Sequence, residues 1–108
     1  MAKINMTAFR AAGTRPVKVG NNRTVYRPRE GMLNCDLHGH TVVHIEDGVV
    51  TLDPCGYRTV TTCAAMKDFL SAALGGHWSV SFAKGGFTVR GPGIYIDAGD
   101  EAQAVFLL

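Results

Sequence analysis

The residues with chemistry to offer cluster in the middle of the chain. His38, Gly39 and His40 form an H-x-H, with Cys35, Asp36 and His44 close by in sequence. Imidazoles two positions apart on a strand project to one side, which is a metal-ligand arrangement. His44 would join them if the strand kept its phase through Gly39, and His77 would be the distant ligand. The competing reading is a half-exposed polar strand face, because zinc ligand sets normally come from two separated elements. His38, His40 and His44 therefore stand only as metal candidates, and no cofactor is expected.

Cys35 or Cys63 with any histidine would make a nucleophile pair, and Cys63 falls where a helix begins, a position that favours a thiolate. A small residue in a first helical turn needs no chemistry, however. Nothing in the chain resembles a nucleophile elbow, a P-loop or a G-x-G-x-x-G between strand and helix. An enzyme is not the expected reading. Thr59, Thr61 and Thr62 could bind an anion together with helix N-terminal amides. Alternatively, Thr61 or Thr62 caps the helix, worth about 1 kcal/mol, and Thr59 pairs across a strand.

Charge is unevenly spread. Residues 1–30 carry seven basic side chains and one acid, a balance of +6, while residues 31–108 carry four and eight, a balance of −4. This basic leading segment offers Arg15, Lys18, Arg23, Tyr26, Arg27 and Arg29. Arginine beside an exposed aromatic suits DNA or RNA, with charge for phosphate and a ring for stacking. An acidic protein partner would fit the same residues. Tyr26 has the opposite strand parity to Arg23 and Arg27, which works against one shared surface.

The elements that must position these groups can be read from periodicity. Thr41–Glu46 and Val49–Asp53 are β-branched runs around Asp47-Gly48, a strong hairpin signal because both turn residues tolerate positive φ. Pro54 ends the second strand and Gly56 allows a sharp turn. Met66, Phe69, Leu70, Ala73 and Leu74 then fall on one helical face, and Gly75-Gly76 stops the helix. Upstream, Thr7–Ala12 fits a short helical turn, while Pro16–Val19 and Arg23–Arg27 read as strands about Gly20-Asn21-Asn22. Leu33, Cys35 and Leu37 alternate with Asn34, Asp36 and His38, a half-buried strand. One long strand bent at Gly39 would keep all three histidines on its polar face, although a glycine can also mark a bulge that resets the phase. Downstream, Trp78–Phe82, Phe87–Arg90 and Ile94–Ile96 are further short strands, and Ala104–Leu108 adds an edge strand or docks on the core.

The resulting expectation is an α+β domain over residues 1–108. It has a mostly antiparallel sheet of six or seven short strands, with one main helix at about 61–74 packed on a face. The odd cysteine count (Cys35, Cys55, Cys63), with no C-x-x-C, points to reduced thiols. The leading residues lack a signal-peptide apolar region, and no apolar run approaches the roughly 18 residues of a membrane span. The expected setting is a cytoplasm.

The order LHGHTVV, acidic-Asp-Gly turn, VVTL, GYRTVTT and helix resembles a family of small bacteriophage and prophage proteins with no established activity. The matching positions are Leu37, His38, Gly39, Thr51, Leu52, Gly56, Tyr57, Thr59, Thr61, Thr62 and Met66. They cover about a third of the chain closely. Tyr57 stands where that family usually has Trp, and Lys67 where it commonly has Asn. The resemblance implies a phage origin, the cytoplasm of a bacterial host, and support for the fold. The functional expectation is a non-enzymatic accessory protein that binds a host or phage protein during infection. The alternative is a nucleic-acid-binding accessory protein that uses the basic segment. Weak self-association through an unpaired edge strand is also expected.

Overall fold

The computed structural model describes residues 4–108, so Lys3 of the basic segment lies outside the described residues. The chain runs α1 (Met6–Ala11), β1 (Val17–Gly20), β2 (Arg23–Tyr26), β3 (Met32–Leu37), β4 (His40–Glu46), β5 (Val49–Leu52), α2 (Val60–Leu74), β6 (Ser79–Ser81), β7 (Thr88–Gly91), β8 (Ile94–Asp97) and β9 (Ala104–Leu107). The main sheet has six strands in the order β1-β2-β3-β4-β5-β9, and β6-β7-β8 form a separate three-stranded sheet. Every ladder is antiparallel. The fold is α+β, with one main helix.

Turn chemistry explains the meander. Both His38 and Gly39 have positive φ, as do Asp47 and Gly48. Leu37 pairs with His40 and Glu46 with Val49, so each pair of residues is a two-residue hairpin loop whose twist matches its strands. His38 thus sits in a turn between β3 and β4, and His40 opens β4, so the two are not joined in one bent strand. After β9 returns to pair with β5, the apolar tail residues become part of the main sheet.

One face of the main sheet carries Val19, Val25, Leu33, Cys35, Leu37, Val43, Val50, Leu52 and Phe106 into the core. Against it lie Ala65, Met66, Phe69 and Leu70 of α2, each fully buried, together with Val89 of β7 and with Trp78 and Phe87, which directly precede β6 and β7. Burying a large apolar side chain contributes about 1.5–3 kcal/mol, so this shared core holds both sheets on the helix. Trp78 stacks on Phe106 with centroids 5.7 Å apart, and its indole N–H donates to the Gly75 carbonyl at 2.8 Å. Arg58, just before α2, clamps the second sheet. It donates to the carbonyls of Gly85, Gly86 and Glu101 and lies over the rings of Phe82 and Phe87.

Two local expectations are corrected. Thr59, not Thr61 or Thr62, is the N-cap of α2: its hydroxyl accepts from the Thr62 amide at 3.2 Å. The helix starts one residue earlier than its apolar pattern indicates, because a cap sits outside that pattern. The histidine parity also changes. The β3–β4 ladder shifts register between Cys35 and Asp36, which pair with Val43 and Thr41, leaving Val42 as an extra residue. This bulge puts His40 beside Leu37 on the core-facing side of the sheet and His44 beside Asn34 on the other.

Candidate functional site

A cleft of about 430 Å³ lies where the β3–β4 turn meets the start of α2. Leu37, His38, His40, Val42, Pro54, Tyr57, Thr59, Thr61 and Thr62 line it. Leu37, Val42, Pro54 and Thr62 are buried, while His38, His40, Tyr57, Thr59 and Thr61 are exposed. The result is a mainly apolar floor beneath a rim of two imidazoles, a phenol and two hydroxyls. None of the lining residues is acidic.

Three tight structures set this geometry. The left-handed His38 backbone projects its ring from the hairpin turn, and its amide donates to the Asn22 carbonyl at 2.8 Å, tying this turn to the β1–β2 turn. The bulge at Val42 turns His40 toward the cleft. Beyond Pro54, Cys55 and Gly56 both take positive φ, and the Tyr57 amide closes the turn on the Pro54 carbonyl at 2.9 Å. Asp53 stabilises this strained Cys55 by accepting from its amide at 2.8 Å. The Tyr57 ring then leans on His40, with centroids 5.5 Å apart. At the helix start the Thr59 hydroxyl caps α2, and the Thr62 hydroxyl lies 3.1 Å from it, so the two engage each other. Thr61 faces outward.

The structure therefore joins His38 and His40 to the three threonines, two sets that look unrelated in sequence. It separates His44 from both. That ring bonds Asn34 through Nδ1 and Glu46 through Nε2, the latter at 3.1 Å. Among the described residues, no three His, Cys, Asp or Glu side chains are grouped as a metal ion requires. Leu37, Val42 and Pro54 complete the cleft and could not be picked out as site residues from residue type. Only the convergence of the two motif stretches marks them.

The arginines are dispersed. Arg23 forms an ion pair with Asp68 of α2 at 2.6 Å. Arg27 donates to the carbonyls of Phe9 and Ala12 at 2.9 and 2.8 Å, with its guanidinium over the Phe9 ring. Arg29 pairs with Glu46 and Asp47 at 2.8 and 3.0 Å. Each of these donors is directed at its own molecule. Arg15 and Lys18 are exposed and Tyr26 is half-buried. The three thiols are unbridged. Burial pushes all three up, with nearby Asp36 adding to it for Cys35 and nearby Asp53 and Asp36 for Cys55. For Cys63, burial outweighs a bond to the Phe82 backbone that acts the other way, so its place at the helix start does not make it a thiolate.

No helix among the described residues is long and apolar enough to cross a membrane. No protein-family model, curated protein or solved structure matches the chain.

Proposed function

We propose that this chain is a non-enzymatic accessory protein of phage type that acts in the cytoplasm of a bacterial host. It binds a host or phage protein, taking a segment of that partner into the cleft between the β3–β4 turn and α2. One observation carries the reading. LHGH and GYRTVTT, the stretches behind the phage resemblance, converge on a single concave surface with Leu37, His38, Tyr57, Thr59, Thr61 and Thr62 in its wall. An apolar floor with a few polar groups at the rim is the usual form of a recognition pocket. Tyr57, 56% exposed, is the natural anchor, since aromatics dominate interface energetics.

The nucleic-acid alternative draws less support. It needs Arg23, Arg27 and Arg29 on phosphates, and those guanidinium groups already have carboxylate or carbonyl partners in the chain. Exposed Arg15 and Lys18 would be left to carry it.

The test is a pull-down from bacterial host lysate with and without nuclease, using tagged wild-type protein and a Tyr57→Asp variant of unchanged circular dichroism. A protein band that survives nuclease and is lost with Tyr57→Asp supports the reading. A band retained equally by the variant removes the cleft from it. Recovery of nucleic acid alone, with binding that falls steeply as salt rises, would move the function to the basic segment.

A further inference from the structure

The two edges of the main sheet are built differently. At one edge, β1 carries exposed Lys18, shifts register between Lys18 and Gly20, and has its Val19 carbonyl taken by the Asn5 amide at 2.7 Å. Charge, irregularity and a covering segment are the means by which proteins blunt an edge. At the other edge, β9 is Ala-Val-Phe-Leu, with no charge, no proline and no register shift against β5.

The direction of the backbone groups on β9 follows from one bond. The Leu108 amide donates to the Gly48 carbonyl at 2.8 Å. Backbone groups alternate sides along an antiparallel strand, so Phe106 and Ala104 also point toward β5. The N–H and C=O of Val105 and Leu107 then point away from it, to the sheet's outer edge. The side chains of these same two residues are 50% and 72% exposed.

We propose that β9 pairs antiparallel with β9 of a second copy about a two-fold axis at Phe106, joining two six-stranded sheets into one. In that register Val105 of each copy faces Leu107 of the other, and each pair exchanges two N–H···O bonds. All four outward groups are then satisfied reciprocally. The occupant is a second copy because the edge is self-complementary: it is uncharged, so identical strands meet without like-charge opposition. The guarded β1 edge cannot accept β9, so assembly closes at two and does not run on as a filament. A four-residue strand makes a small interface, below roughly 1,200 Å², so the dimer is weak and concentration-dependent.

Sedimentation equilibrium of the full chain from about 1 μM to about 1 mM, a span covering weak association, tests this. Wild type should pass from monomer to dimer without marked salt dependence. Leu107→Pro should weaken association about tenfold or more, because it deletes an outward N–H while leaving the β5 ladder intact. Should that variant fail to fold, Leu107→Lys decides, and it should weaken association likewise. The register has its own readout. Paired Cα atoms at about 5.5 Å are within disulfide reach, so mixing Val105→Cys with Leu107→Cys should give a cross-link that neither forms alone. A wild-type monomer throughout, or a dimer that survives both Leu107 changes, overturns the proposal.

Discussion

Arg23 on β2 and Asp68 on α2 meet at 2.6 Å with side chains only 13% and 9% exposed. The pair joins the main sheet to its helix from positions 45 residues apart. It also explains why β2 has no cleanly apolar face: its inward row holds a charge, neutralised from across the core. Removing one partner from a buried pair strands the other charge, which costs about 3–5 kcal/mol. Arg23→Met should lower stability by that order in denaturant titration, because it strands the Asp68 carboxylate, whereas adding Asp68→Leu to it should recover most of the loss. If Asp68→Leu instead adds its own full cost to that of Arg23→Met, the pair is not coupled. Weakened ligand binding by an Arg23 variant should accordingly be read against its stability first.

The cap assignment separates two neighbouring threonines. Thr59→Ala should cost about 1 kcal/mol, the usual value for a lost N-cap, while Thr61→Ala should change stability by less than about 0.5 kcal/mol, as an exposed residue does. Chemical denaturation of the two variants checks this. The reverse order would return the cap to the position that the apolar pattern implies.

A Cβ added at Gly91 would overlap the Trp78 ring. Glycine is therefore required there by close approach, and Gly91→Ala should cost about 1–3 kcal/mol as overpacking. Because Trp78 is the sole tryptophan, its fluorescence reports directly on the contact. Unchanged emission and stability would mean that the second sheet is free to shift.

The β4–β5 turn should respond to acid. A hydrogen bond from Arg29 holds the Asp47 carboxyl below its ordinary value of 3.8, and bonds to His44 and then Arg29 hold Glu46 below 4.5. Both folded values lie below the unfolded ones. The stabilisation they provide is thus complete above the unfolded values and is lost as pH falls through the folded ones. Both groups lie at the exposed surface, so the effect is small and screened by salt. In a carboxyl-resolved NMR titration, Arg29→Ala should raise the Asp47 midpoint toward 3.8. No movement would mean that the pair does not persist in solution.

Local patterns in the sequence were sufficient for the elements themselves. Asp47-Gly48 marked its hairpin because a two-residue loop of this kind needs positive φ at both positions. Met66, Phe69 and Leu70 marked the buried face of α2 because a helix meets its core at fixed spacing. Parity along β3 correctly put Leu33, Cys35 and Leu37 inside. Parity cannot count an extra residue in one strand, however, and the bulge at Val42 sends His40 to the cleft and His44 to the opposite face. Nor can it name a partner across the core: the carboxylate for Arg23 lies on a helix that only packing brings near. Ala104–Leu108 was legible as apolar, but its place at the sheet edge depends on β5 ending the meander with one side unpaired. Spacing encodes which way a residue points along its own element. Which elements meet, and therefore where the cleft and the bare edge form, is decided by register and packing over the whole chain.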